Sequence, residues 1–372
     1  MWERIVAFIR LSRLKFLVES LLTVTLGLTV SVYCGQPFLL GPWLLVQSTV
    51  SATHLMTHYC NEYFDLEADS AHTAPNRWTG GSQVLVQAVL RPVVSLSAAF
   101  VMLFVIMLLV VVMSTTPERL IALAAVALAW FYTAPPVRLN YRALGEVTTA
   151  AALTIFCPLL ASYAQLKYVP PVLFAVCVPL FLVMTARMMV MNFCDRDSDL
   201  SVGKRTLPNT VGPRRAALLF VGLQAAAYAI VLVVTLVGVL PVPVGVGMAL
   251  TAPLAYLVSW RILRDPPSPD DPERATATAH LVTAHAAATG FAAVLGMIVA
   301  VSLRQGEAVS LTSSSLTSSS LTPSVLACVA LFLLYAGLVG VIQVMDARGR
   351  DRAGEPLRQR GASTSNGVGT AR

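Results

Sequence analysis

Two stretches of this chain carry side chains whose types and spacing suit a charged substrate. The first is Asn61-Glu62-Tyr63-Phe64-Asp65-Leu66-Glu67-Ala68-Asp69 and the second is Asn192-Phe193-Cys194-Asp195-Arg196-Asp197-Ser198-Asp199. Residues four apart share a helix face. Asn61, Asp65 and Asp69 therefore form one polar stripe. Asn192, Asp195 and Asp199 form another, with Asp197 turned largely away. Hard divalent cations want oxygen ligands, and magnesium usually takes one or two carboxylates together with substrate phosphates and water. Two facing stripes of this kind suit Mg2+ ions that clamp a diphosphate through Asp65, Asp69, Asp195 and Asp199. Asn61 and Asn192 would add oxygen ligands without charge. Solvated acids capping helices at a membrane surface would explain either stripe alone, but not a matched pair. A calcium loop through Asp195, Asp197 and Asp199 fails, because its sixth and twelfth places are Leu200 and Thr206 rather than Gly and Glu.

A diphosphate also needs cations. Lys204 and Arg205, in Gly203-Lys204-Arg205-Thr206, adjoin the second stripe and are the strongest candidates. Arg77 precedes Gly80-Gly81-Ser82 after the first stripe, and Arg138 and Arg142 follow Tyr132-Thr133-Ala134-Pro135-Pro136. Each of these could equally be a loop charge that sets topology. Arg187 has a stronger claim, since it stands alone inside an apolar run, where an ionisable side chain marks a functional position by default. It could pair with the acids or reach the pocket. His54 and His58 extend the first stripe toward an acceptor pocket, unless they only hydrogen-bond between helices. Met184, Met188 and Met191 flank the second stripe and suit either core filling or a flexible apolar ligand.

Both stripes end apolar runs, and the composition says what those runs are. Of 372 residues, 56% are hydrophobic and only 12% charged, against roughly a quarter charged in an average soluble domain. Runs of bilayer-crossing length lie near 16–34, 38–60, 93–114, 118–134, 145–165, 169–192, 214–238, 240–261, 277–303 and 324–345. The expected architecture is all-α, a polytopic transmembrane bundle with a nine-helix core over 1–303. A Ser/Thr-rich linker follows at 304–323, then an extra transmembrane helix at 324–345 and a disordered basic tail at 346–372. With the N-terminus inside, 22 of the 26 Lys and Arg fall in inside segments. That bias sets both acidic stripes on the cytoplasmic side. The net charge of +7 sits in short loops rather than on one basic face, which excludes a nucleic-acid partner. Six cysteines without a CxxC pair read as apolar packers, not a zinc site or disulfide framework.

These residues resemble the intramembrane aromatic prenyltransferases of the UbiA superfamily. Asn61, Asp65 and Asp69 match the first motif, N-x-x-x-D-x-x-x-D. Asp195 and Asp199 match the second, with Asn192 in place of its first Asp. Gly203-Lys204-Arg205-Thr206-Leu207-Pro208, Tyr132-Thr-Ala-Pro-Pro-Val-Arg-Leu139 and Leu144-Gly145-Glu146 are also similar, and the likeness covers about residues 10–303. It implies nine helices around a central cavity and Mg2+-dependent transfer of a polyprenyl group from its diphosphate to an aromatic acceptor. Asn61-x-Tyr63-Phe64-Asp65 and Gly203 to Leu207 look most like the 1,4-dihydroxy-2-naphthoate branch, which serves menaquinone and related quinone biosynthesis. Two other activities compete. Intramembrane terpene cyclisation shares the ionisation step, and a transporter would need ionisable residues near the bilayer centre rather than at span ends.

Overall fold

The computed structural model describes residues 2–72, 75, 78–311 and 318–353, with side-chain placement absent for 305–311, 318–322 and 342–353. Arg77 lies outside the described residues, as do 312–317 of the linker and 354–372 of the tail. Among the described residues there is no strand, only one isolated bridge between Arg142 and Arg205. The helices are α1 (Trp2–Leu11), α2 (Leu17–Tyr33), α3 (Leu40–Phe64), α4 (Leu66–Ala71), α5 (Pro92–Val112), α6 (Thr116–Phe131), α7 (Gly145–Ala151) and α8 (Cys157–Leu166). The second half holds α9 (Pro171–Cys194), α10 (Arg196–Ser201), α11 (Leu207–Val211), α12 (Pro213–Leu236), α13 (Val242–Ala249), α14 (Ala252–Arg264), α15 (Pro272–Leu311) and α16 (Ser318–Ala353).

Local chemistry starts and stops these helices. Pro92 and Pro213 occupy first-turn positions of α5 and α12, where the missing N–H costs nothing. Thr115 and Glu118 form a capping box at the start of α6, satisfying two otherwise orphaned donors. A π-helical turn at Ala152–Phe156 joins α7 to α8, so Gly145–Leu166 reads as one bulged helix. Such bulges are frequent at functional sites, and Ala152 and Leu153 line the cavity described below.

Eight of the helical stretches are long and apolar enough to cross a bilayer. The ten runs expected from sequence include two more, and the physical reason for each is plain. The α6 helix has only 16 residues. The α3 helix has 25 but carries Gln47, Ser48, Thr49, Ser51, Thr53, His54, Thr57 and His58. Large apolar side chains on α5, such as Phe104 and Val111, face outward. An apolar exterior of this extent marks a surface meant for lipid, and the chain is an integral, multi-pass membrane protein.

Two apolar cores flank the centre. One joins α3, α5, α6 and α8, and the other joins α2, α9, α13, α15 and α16. The cavity opens between them.

Candidate active site

The two acidic stripes are built alike. At Asp65 the chain leaves α3 and enters α4, with φ −98° and ψ 7°. At Asp195 it leaves α9 and enters α10, with φ −92° and ψ 1°. Both joints keep helical register, since Asp69 N–H donates to the Asp65 carbonyl (2.9 Å) and Asp199 N–H to that of Asp195 (2.8 Å). The sequence spacing thus survives a break in each helix, and α4 packs against α10. That contact brings the stripes together.

Lys204 sits between them. Its Nζ lies 3.2 Å from Asp65 Oδ2 and 3.2 Å from Asp199 Oδ1. Burial opposes charge on the lysine, but Asp65 and Asp199 outweigh it and hold the ammonium well above its ordinary pKa. Asp65 also accepts from Asn61 (2.8 Å) and from Asn140 (3.1 and 3.3 Å). Asp195 Oδ1 meets His72 Nε2 at 2.7 Å. Asn192 donates to Glu146 (2.7 Å), which also accepts from the Leu207 amide (2.8 Å).

Burial pushes Asp69 up to about 8, helped by Asp65 and Glu62 and opposed mainly by Arg13. It pushes Asp199 up to about 7 against the pull of Lys204. One oxygen of Asp199 has no hydrogen-bond partner among the described residues. Glycine closes the first joint, because a Cβ on Gly81 (φ +69°) would fall 2.2 Å from Asp69 Oδ2. Glu62 anchors the same loop, accepting from the Ser82 amide and hydroxyl (2.7 Å each) and pairing with Arg13 at 2.9 Å.

Both joints open onto one cavity of about 230 Å³. Asn61, Asp65, Asp69, Tyr132, Arg187, Asn192, Asp195, Lys204, His54 and His58 all line it. Arg205 does not. Its side chain is exposed and its carbonyl accepts from the Ala143 amide at 2.6 Å. Arg138 turns its guanidinium over the Tyr141 ring at 3.8 Å and donates to the Phe64 carbonyl at 3.3 Å, at the end of α3. Arg187 pairs with Glu19 rather than with either stripe. Asp197 is exposed beside Arg196. Glu19, Asn140 and His72 are not among the residues the sequence points to, and Glu146 enters there only within the Leu144-Gly145-Glu146 likeness. Glu19 carried a usable signal, being an acid in an apolar run, as Arg187 is a base in one.

Among the described residues, no three acid, histidine or cysteine side chains converge closely enough to hold a metal alone. Asp65, Asp69 and Asp195 at the cavity, with a half-satisfied Asp199 behind them and the amides of Asn61 and Asn192 beside them, instead fit a hard cation that completes its shell with phosphate oxygens and water.

Comparisons with known proteins give the family and the fold. Residues 20–282 match the model of the UbiA prenyltransferase family. The chain is 29% identical over 149 residues to the 2-carboxy-1,4-naphthoquinone phytyltransferase of Arabidopsis thaliana chloroplasts, a match spanning 38% of each protein. Among solved structures, a UbiA homolog from Aeropyrum pernix K1 is similar with a TM-score of 0.59 and 18% identity, over 76% of this chain and 98% of that one. A UbiA homolog from Archaeoglobus fulgidus, bound to DMAPP and Mg2+, is similar with a TM-score of 0.52 and 17% identity, over 77% and 98%. At such identities the structures speak for the fold alone, and the family match covers most of the chain. The chain belongs to the UbiA prenyltransferase family.

Proposed function

We propose that the chain transfers a polyprenyl group from its diphosphate to an aromatic acceptor, 1,4-dihydroxy-2-naphthoate or a related quinone precursor. The observation that carries this reading is the pair of acidic joints meeting across Lys204 at one end of a cavity that otherwise runs into the bundle. The relative in Arabidopsis thaliana supports the naphthoquinone class by its name, and the Archaeoglobus fulgidus structure supports Mg2+ by its contents.

Asp65, Asp69, Asp195 and Asp199 would hold Mg2+ against the diphosphate, with Asn61 and Asn192 assisting. Bound there, the metal supplies Lewis acidity to the leaving group. Lys204 stabilises the charge that grows on the bridging oxygen as the allylic C–O bond breaks. Asn61 and Asn140 hold Asp65 where it faces the Lys204 ammonium. Tyr132, Ala129 and Met188 help wall the cavity, so water is kept from the allylic cation. The acceptor ring gives its electron pair to the allylic carbon, and a ring proton or carbon dioxide then leaves. Arg205, Arg138 and Arg77 remain candidates for first capture of the diphosphate at the loops. The N-terminus and both joints face the cytoplasm in this reading, which the distribution of Lys and Arg supports.

Product mass spectrometry of membranes given a ladder of prenyl diphosphates and a panel of acceptors tests the reaction. Asp65→Asn and Asp195→Asn should each nearly abolish transfer at unchanged protein level. Near-normal turnover of either variant with Mg2+ would sink the two-joint clamp, and acceptor-independent product would favour cyclisation.

A further inference from the structure

Below the acidic joints lies a second polar group, within the membrane-spanning helices. Arg187 on α9 and Glu19 on α2 meet through two contacts, NH1 to Oε2 at 3.0 Å and NH2 to Oε1 at 2.7 Å. Thr283 on α15 accepts from Arg187 Nε at 3.4 Å. One residue on from Glu19, the Ser20 hydroxyl contacts His54 Nδ1 at 2.5 Å. The His54 ring lies 4.7 Å from that of His58, which in turn lies 5.7 Å from Phe16. All six of Phe16, Glu19, Ser20, His54, His58 and Arg187 line the cavity.

An ion pair in an apolar setting is expensive to build, and this one is not sealed off. Glu19 keeps 24% of its side chain exposed, toward the cavity, while Arg187 keeps 6%. His58 Nε2 is buried with no partner among the described residues. The pocket floor therefore presents the Glu19 carboxylate beside two aromatic rings, Phe16 and His58, tilted 46° to each other. Its cations are already committed. Arg13 is paired with Glu62 and Arg187 with Glu19, while Lys204 belongs to the acidic joints above. Depth fits as well. Arg187 precedes Asp195 by eight residues of α9, about 12 Å at 1.5 Å per residue. That is room for the bridging oxygen, the allylic carbon and a fused ring.

We propose that Glu19, oriented by Arg187, is the hydrogen-bond acceptor for a ring hydroxyl of the aromatic acceptor, with the Phe16 and His58 rings flanking it. This subsite rests on the transferase reading above and adds how the acceptor is recognised. Glu19 reads a hydroxyl, and a carboxylate on the same ring would point away from it. A hydrogen bond donated to a carboxylate leaves the phenolic oxygen richer in electron density, and conjugation passes that density to the ring carbon that attacks. Arg187 acts through Glu19 and is a positioning residue.

The test uses the full-length protein in detergent with 1,4-dihydroxynaphthalene and its dimethyl ether as probes. Binding is read by calorimetry without the diphosphate, and turnover is read separately. The wild type should prefer the hydroxyl probe by about 10- to 100-fold, the usual scale for a hydrogen bond to a charged group. Glu19→Leu should bring that preference close to one and raise the acceptor KM, while the diphosphate KM stays within about twofold. Because Glu19→Leu leaves Arg187 without its acid, the double variant Glu19→Leu/Arg187→Met provides a neutral, apolar control without an acceptor and should lose the same preference. A double variant that folds and still prefers the hydroxyl probe, or a diphosphate KM that rises in step with the acceptor KM, overturns the subsite. Hydroxyl-selective binding without prenylated product would keep the subsite and overturn the transferase reading instead.

Discussion

At the first joint, Asp65 is only 4% exposed and receives hydrogen bonds from Asn61, Asn140 and Lys204; at the second, Asp195 is 18% exposed and meets His72. The backbones of the two joints nearly superimpose in φ and ψ, yet the amide that opens each stripe is used differently. Asn61 steadies its own aspartate, whereas Asn192 turns away to Glu146 and leaves Asp195 more open. The aspartate at the first joint is held by three side chains from inside the protein, and the one at the second meets His72 and stays more open. A repeated motif need not mean repeated duty.

Removing what ties the joints together should have the largest effect. Lys204→Met strands Asp65 and Asp199 against each other, so turnover should fall by about 10²–10³-fold and stability by about 3 kcal/mol. Lys204→Arg should recover much of the stability. Thermal unfolding in detergent beside a turnover assay reads both, and an unchanged melting temperature in Lys204→Met would count against the bridge.

The glycines beside the joints separate them next. Gly81→Ala puts a methyl into Asp69 at positive φ and should cost about 10- to 100-fold in activity. Gly203 has φ +73° but open space around the missing Cβ. Gly203→Ala should therefore cost only about 1–2 kcal/mol of backbone strain, with a smaller loss of turnover. Equal losses would mean that the crowding at Asp69 does not matter.

Proton linkage sharpens the comparison further. Asp69 and Asp199 are pushed up to about 8 and about 7, above the ordinary carboxylate value of about 4. Across that window the folded chain holds protons that the unfolded chain releases, so metal-free stability falls as pH rises. A cation must displace those protons, and the rise in melting temperature from Mg2+ should be larger near about pH 8.5 than near about pH 6. A pH-independent rise would remove these acids from the ligand set.

His72 gives the smallest effect. Burial disfavours its charge, but the hydrogen bond and the charge of Asp195 prevail, so its pKa is raised. A raised histidine stabilises the fold below about pH 6.5, and that contribution fades as pH climbs through its folded value. His72→Gln should lower the melting temperature more near about pH 6 than near about pH 9.

Asn61, Asp65, Asp69, Asp195 and Asp199 were legible because helical spacing alone puts them on one side, and the i to i+4 register runs through both joints. The joints themselves were not legible, since neither Asp65 nor Asp195 follows a proline or glycine that would announce a break. Nor could spacing reveal Asn140 on Asp65 or Glu146 on Asn192, which come from distant parts of the chain. Arg205 looked equivalent to Lys204 in sequence, but adjacent residues of an irregular segment point to opposite sides, and only Lys204 turns inward. The run of α3 was legible as an element and ambiguous as a span, because the polar residues that line a cavity lower the very hydropathy that marks a membrane helix.

That last property bears on how the protein enters its membrane. The α3 helix has little to gain from lipid by its own composition, whereas α5 beside it has a mean hydropathy of 2.9 over its span. The two pack against each other along their length. The most polar wall of the cavity is therefore kept in the bilayer by its neighbours, and its stable insertion is a property of the assembled bundle rather than of its own sequence.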